Sequence, residues 1–239
     1  MRDLTTMLWK ETRELIALRR SLLIFLMAVL LFGVLPAVVL RHGTHSRVLT
    51  GSMLDWFRFA YGLFAALFIA LQTAPDLVLH ERVGRTLDYL LTTRLPDGAI
   101  YGGKILTSAI FSYVAGWLAL GMQLFASALL DGNGWHWLYL ANPGTRTAAL
   151  FIMAGLSVYV SVVGTFVAFR VGDQRTAYMV SLVGVVILII PLALQWIPIS
   201  FTNSWLMHAS LIFDLFAAAV GVAGLLLFRR QMLVLYLQE

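Results

Sequence analysis

The sequence predicts an all-α integral membrane protein with six transmembrane helices, preceded by a helix that lies along the membrane surface. Of the 239 residues, 60% are hydrophobic and only 12% are charged, whereas soluble domains average about 25% charged residues. Charge-free runs repeatedly reach the roughly 20 residues that one crossing needs. Lys and Arg collect beside these runs, which is how membrane proteins use basic residues. The mean hydropathy of +0.86 agrees with this class.

Six apolar runs define the predicted crossings of a single membrane domain, residues 1–239. In chain order they are Ser21–Leu40, Phe59–Pro75, Ile105–Leu130, Thr147–Phe169, Ala177 to about Trp196, and Ala209–Phe228. The stretch Ala177–Met207 is too long for one crossing at about 1.5 Å per residue. We therefore expect an outer, partly buried excursion over residues 197–208 between the fifth and sixth crossings.

The distribution of basic residues predicts which side of the membrane each loop occupies. With the N-terminus inside, 13 of the 17 Lys and Arg residues lie in the cytoplasm, as the positive-inside rule requires. Arg41, Arg47, Arg58 and Arg146 are the four expected outside. Both termini are thus predicted to be cytoplasmic. The basic residues do not cluster on a soluble face, so nucleic acid is not an expected partner, whereas membrane lipid is.

The first segment, residues 1–20, is predicted to form an interfacial helix. On a helical wheel one side carries Leu4, Met7, Leu8, Leu15 and Leu18. Lys10 and Arg13 point away from that side, Glu11 projects from it, and Trp9 and Ile16 interrupt the polar face. An amphipathic helix on the inner membrane surface with a mechanical role fits this pattern. The alternative is a charged run that only anchors the first crossing.

The second distinctive segment is the predicted cytoplasmic loop 77–104, which reads LVLHERVGRTLDYLLTTRLPDGAIYGGK. Gly84 is expected to end the preceding helix, and Thr86 can cap a short helix that carries Leu87, Leu90 and Leu91. Pro96 and Asp97 then begin the helix of the third crossing. The loop is longer than two helices need for their connection. We interpret it as a protein-docking element, with an ordinary structured connection as the alternative.

Residues in these two segments resemble motifs of the type-2 ABC exporter permeases. In the loop they are Glu81, Gly84, Thr86, Leu87, Asp88, Leu90, Leu91, Pro96 and Gly103–Lys104; in the first helix they are Lys10 and Glu11. The loop departs from the family pattern by an inserted Arg85 and by Asp88 in place of Glu. The resemblance implies a permease dimer, of two copies or of one copy with a homologue, in a bacterial-type plasma (inner) membrane. It also implies that the first helix, the family's elbow helix, and the loop, as a coupling helix, contact a cytoplasmic ABC ATPase.

The chain is not expected to bind ATP itself. Residues 98–105 come close to a P-loop, but Ile105 stands where that motif needs Ser or Thr, and no strand precedes it. We therefore expect a transport subunit that is not an enzyme, holds no cofactor and depends on a separate ATPase subunit. Two alternatives remain: a structural membrane subunit of an assembly, or an intramembrane enzyme, for which too few His, Asp and Glu residues lie at membrane depth.

Asp214 is the one acidic residue well inside a predicted run, and intramembrane carboxylates are usually functional. It is expected either to line a translocation path or to form a packing or outer-gate hydrogen bond. The same two roles are considered, on weaker grounds, for three polar residues within the predicted runs: Gln72, Gln123 and Gln195. His42 and His45 have suitable spacing for metal ligands, but no carboxylate or cysteine stands beside them, so no metal site is predicted.

Overall fold

The computed structural model describes residues 2–17, 19–45, 51–83, 96–131, 143–171 and 173–196, together with positions 212, 215, 216, 219, 220, 222 and 223. These residues form helices and short connections, with no strand among them. The helices are α1 (Arg2–Ala17), α2 (Arg19–His45), α3 (Gly51–Val83), α4 (Asp97–Asp131), α5 (Pro143–Arg170) and α6 (Gln174–Trp196). The predicted all-α class is confirmed for this part of the chain.

Four of these helices contain stretches that are long and apolar enough to cross a membrane. They are Arg19–Val39, Asp55–Arg82, Asp97–Leu130 and Ala149–Arg170. Helix α6 contributes a shorter apolar stretch, Arg175–Val186. The architecture is therefore consistent with a multi-pass membrane protein. Six crossings remain a prediction, and the predicted excursion over 197–208 lies outside the described residues.

Helices α3 and α4 form the centre of the bundle, and α4 also contacts α1, α2 and α5. Glycines bring α3 and α4 together: a Cβ added to Gly116 would lie 3.0 Å from the carbonyl oxygen of Gly62 and 2.5 Å from Met153 Sδ. Small residues allow such approach where lipid supplies no hydrophobic drive. Phe59 and Leu120 are buried in the adjoining core.

Helix α3 is longer than the predicted run Phe59–Pro75. It begins at Gly51 and continues through Pro75 to Val83. Pro75 faces α5 at Gly164, where an added Cβ would lie 3.4 Å from the proline Cδ; the missing side chain leaves room for the ring. Arg58 does not lie in a loop, because it is part of α3 and is buried; its position on the outer side of the membrane remains a prediction.

Both ends of the predicted loop 77–104 are helical, since α3 extends to Val83 and α4 begins at Asp97. The predicted helix start is confirmed: the Pro96 carbonyl accepts hydrogen bonds from the amides of Ala99 and Ile100 at 2.9 and 3.3 Å. Residues 84–95 between these helices lie outside the described part of the chain.

Candidate functional site: a buried ionic cluster

Charged side chains from α1, α3 and α4 meet at the end of the bundle where the segment 84–95 begins and ends. We call Lys10, Glu11, Glu81 and Lys104 the ionic cluster. Glu81 stands in the last turn of α3 and Lys104 in the second turn of α4. Glu11 and Lys104 are fully buried, and Glu81 nearly so. Buried charges persist only when they are paired, so these residues act as one unit.

Lys104 is the centre of the ionic cluster. Its Nζ lies 3.0 Å from Glu11 Oε1 and 2.6 Å from Glu81 Oε2, and it donates a hydrogen bond to the Leu77 carbonyl at 2.8 Å. An ammonium group has three N–H donors and no acceptor. Three oxygens from two helices therefore surround this buried cation.

Glu81 bridges both lysines. While Oε2 faces Lys104, Oε1 accepts a hydrogen bond from Lys10 Nζ at 2.6 Å. Lys10 also lies 3.5 Å from Glu14 and 3.8 Å from Glu11. The side chain of Lys10 is partly exposed, and it extends from α1 to Glu81 of α3. The pairs Lys10–Glu81 and Glu11–Lys104 join residues 71 and 93 positions apart.

The packing of α1 explains why Glu11 is inside. Met7, Glu11 and Leu15 follow one another at intervals of four and therefore share a face, and all three are buried. That face packs on α4, where Met7 joins Ile100 in a small apolar cluster. A Cβ added to Gly103 would lie 3.0 Å from Met7 Cβ. Gly103 thus lets α1 approach, and the next residue, Lys104, receives Glu11.

Burial and neighbouring charges change the ionisation of the α1 residues. Burial raises the pKa of Glu11, as does the charge of Glu81, while Lys104 and Lys10 oppose this rise. For Lys10, burial acts to lower the pKa, but the hydrogen bond and charge of Glu81 more than offset it, so the pKa of Lys10 is raised. Contact with Glu81 therefore favours the charged form of Lys10.

The carboxylates of Glu11, Glu14 and Glu81 have oxygens within 4.8 Å of one another, a spacing that could suit a cation. The ammonium groups of Lys10 and Lys104 already lie against these oxygens. A metal ion would have to displace positive charge that is held by the fold. The geometry is typical of an ionic lock between helices rather than of a metal centre or a catalytic site.

The same end of α3 is tied to the other side of the bundle. Arg82 Nη1 donates a hydrogen bond to the Val171 carbonyl, between α5 and α6, at 3.1 Å. One and a half turns earlier, Asp76 Oδ1 accepts a hydrogen bond from the Tyr178 hydroxyl at 2.5 Å. The segment 84–95 therefore begins at a helix end that contacts α1, α4, α6 and the α5–α6 connection.

At the opposite end of α3, sequence reasoning missed a buried charged pair. Arg58 Nη1 lies 3.6 Å from Asp55 Oδ1, and both side chains are almost fully buried. The i, i+3 spacing of opposite charges was the available signal. Gln123 of α4 is also fully buried, and neither its Oε1 nor its Nε2 has a hydrogen-bond partner among the described residues.

The structure brings three of the sequence-predicted site residues together, namely Lys10, Glu11 and Glu81. Pro96 is exposed at the start of α4. Outside the described residues lie Gly84, Thr86, Leu87, Asp88, Leu90, Leu91 and Asp214. The P-loop-like residues 98–105 are helical and Lys104 is buried among carboxylates, so this segment does not form a strand–loop–helix phosphate site.

No family model, no curated protein and no solved structure matches this chain. The resemblance to the type-2 ABC exporter permeases therefore depends on the motif residues themselves and on how they are arranged.

Proposed function

We propose that this protein is the transmembrane permease subunit of an ATP-driven ABC exporter. It would form the translocation path and couple to a separate cytoplasmic ATPase. The observation that carries the proposal is the ionic cluster. Family-motif residues from the first helix (Lys10 and Glu11), the end of α3 (Glu81) and the start of α4 (Lys104) meet there in direct contact. These residues come from motifs in two separate segments of the chain, and their direct contact supports a shared task.

The ionic cluster suits a coupling role because of where it lies. It joins α1 to both helices that flank the segment 84–95. A displacement of that segment would move the end of α3, which carries Glu81, and the start of α4, which carries Lys104. Through these two residues it would also move α1. Close-packed interiors transmit strain, and separating a buried charge pair is costly. A coupling element here would therefore move α1, α3 and α4 as a unit.

The leucines of the segment 84–95 supply the proposed contact with the ATPase. Leu87, Leu90 and Leu91 recur among charged residues, which is typical of a short helix that buries apolar anchors in a partner's groove. The charges at Arg85 and Asp88 would lie on its rim. In this proposal the end of the bundle that carries α1 faces the cytoplasm, and the permease functions as a dimer.

The proposal predicts co-purification with an ATPase that depends on these leucines. Tagged protein isolated from its native membrane should carry a nucleotide-hydrolysing subunit, identifiable by mass spectrometry. Truncating a buried anchor commonly costs about 2 kcal/mol or more at an interface. Leu87→Ala with Leu91→Ala should therefore release the ATPase and abolish transport-coupled hydrolysis, while the permease remains in the membrane.

A matched control is available at exposed leucines within the apolar helices. Leu23 of α2 and Leu129 of α4 are 60% and 68% exposed. The double variant with Leu23→Ala and Leu129→Ala loses the same side-chain atoms at two positions outside the segment 84–95, and it should keep the ATPase bound. Full retention of the ATPase by the Leu87/Leu91 variant would refute the coupling role. Absence of any ATPase from the native preparation would favour the structural-subunit alternative.

A further inference from the structure

The exposed side of α1 carries an unusual combination of residues. Trp9, Arg13 and Ile16 lie on the side of α1 opposite the buried face that contains Glu11, and Arg20 follows in the first turn of α2. We call these four residues the outer stripe. Trp9 is 71% exposed and Ile16 is 55% exposed, and both arginines are exposed. Two large apolar side chains and two cations are thus exposed between residues 9 and 20, over the end of α1 and the start of α2.

The orientation of the outer stripe is set by the ionic cluster. Because Glu11 is held by Lys104 and Met7 packs on α4, α1 cannot rotate to bury Trp9 and Ile16 against the bundle. Helix α2 begins directly afterwards, and its apolar stretch starts at Arg19. The stripe is therefore held beside the point where an apolar helix starts, which is the level of lipid headgroups when α2 crosses a membrane.

We propose that the outer stripe is a binding site for anionic phospholipid headgroups. Tryptophan settles at the membrane interface, and arginine can lay its apolar stem along lipid while its guanidinium reaches the headgroups. Arg13 precedes Ile16 in α1 and Arg20 follows it at the start of α2, so two guanidinium groups are available to phosphates near this apolar side chain. Bidentate contact with phosphate suits arginine in particular.

The charge around the outer stripe favours this ligand. Glu14, the nearest acidic residue in sequence to Arg13, lies on another face of α1 and contacts Lys10 at 3.5 Å. Asp3 is exposed, but it lies a turn or more from either arginine. The stripe thus presents positive charge beside apolar surface, which complements an anionic lipid better than a zwitterionic one.

The test uses the purified full-length protein in nanodiscs of phosphatidylcholine that contain a minor fraction of phosphatidylglycerol. Native mass spectrometry counts the lipids that remain bound. Each basic residue near an anionic surface changes partitioning by roughly five-fold. Arg13→Gln with Arg20→Gln should therefore lower phosphatidylglycerol retention by ten-fold or more and leave phosphatidylcholine retention unchanged. The matched control is Arg170→Gln with Arg175→Gln, two exposed arginines near the α5–α6 connection.

Equal loss of phosphatidylglycerol in the stripe and control variants would refute the proposed site, because any exposed arginine of the protein would then attract the lipid equally well. Unchanged retention in the stripe variant would overturn it too, and loss of a co-purified protein instead would assign the stripe to an acidic protein surface.

A second measurement needs no arginine variant. Lipids brominated near the headgroup should quench a fluorescence component that Trp9→Phe removes; no difference between the two proteins would also refute the proposal. Neither measurement requires an ATPase.

Discussion

The two ends of α3 hold their buried charges in different ways. At one end the ionic cluster joins three helices, and Lys104 is surrounded by Glu11, Glu81 and a backbone carbonyl. At the other end Asp55 and Arg58 form a pair within a single helix at 3.6 Å. The first arrangement joins residues 71 and 93 positions apart, with contacts of 2.6 to 3.0 Å, whereas the longer contact at the second joins residues three positions apart. We therefore expect the loss of a charge to weaken contacts among three helices at the first end and to have a smaller effect at the second.

The spacing of the two ends fits a membrane. The antiparallel contact between α3 and α4 places Thr73 beside Ser108, with their hydroxyl oxygens 2.8 Å apart. The same register puts Gln123 within a turn of the level of Arg58. From Lys104 to Gln123 the path along α4 is about 29 Å at 1.5 Å per residue. That length is close to the thickness of a bilayer's hydrocarbon core, about 30 Å, so a crossing by α4 would place the two groups of buried charges near its two boundaries.

The largest effect is expected at the centre of the ionic cluster. Lys104→Met would leave the buried Glu11 and Glu81 with only the partly exposed Lys10 as a nearby cation, and removing one partner of a buried pair typically costs about 3–5 kcal/mol. Thermal unfolding in detergent, followed by gel filtration of the surviving monodisperse fraction, measures the loss. Adding Glu11→Gln and Glu81→Gln to Lys104→Met removes the stranded charges and should recover much of the stability. An unchanged unfolding midpoint for Lys104→Met would show that the cluster does not hold the helices together.

A smaller loss is expected at the opposite end. Arg58→Met removes one charge of the buried pair, but this contact is longer than those of Lys104, and Asp55 is the first residue of its apolar stretch. We expect a cost of about 1–3 kcal/mol, the usual range for a buried polar group that loses its partner. Arg58→Lys keeps the charge and serves as the control in the same unfolding assay. A loss equal to that of Lys104→Met would contradict the proposed difference between the ends.

The smallest effects concern pH, and two carboxylates should show opposite signs. The raised pKa of Glu11 means that its contribution is present below its unfolded value near 4.5 and is lost as pH rises through the folded value. Asp173 accepts hydrogen bonds from the amide and hydroxyl of Thr176 at the start of α6, which lower its pKa. Its contribution is present above 3.8 and is lost as pH falls through the folded value.

These signs can be measured as the difference in unfolding temperature between wild type and variant across pH 3 to 8. With Glu11→Gln, the wild-type advantage should shrink as pH rises above about 4.5. With Asp173→Asn, it should shrink as pH falls below about 3.8. Parallel pH profiles for the two variants would mean that burial does not govern Glu11.

Much of the local structure follows from the sequence because it depends on neighbours in the chain. Hydropathy over short windows identified the apolar helices, and the proline–acidic pair identified the start of α4. The three-four periodicity of α1 placed Glu11 on the apolar side, and the structure confirms that position. The extent of α3 could not be derived this way. Asp55, Arg58 and Pro75 all suggest a helix end when they are considered without the helices that cover them.

By itself, then, the sequence determined an all-α chain with membrane-length apolar helices and a first helix that carries a carboxylate on its apolar face. Only the tertiary structure decided what that carboxylate meets. Glu11 and Lys104 are 93 positions apart, and no pattern within either helix specifies the other as its partner. Their contact depends on α1 packing across α4 at Gly103, where the absence of a side chain lets the two helices approach. Burial then favours this pairing strongly, because an unpaired buried carboxylate is costly and the other nearby cation, Lys10, lies farther away at 3.8 Å.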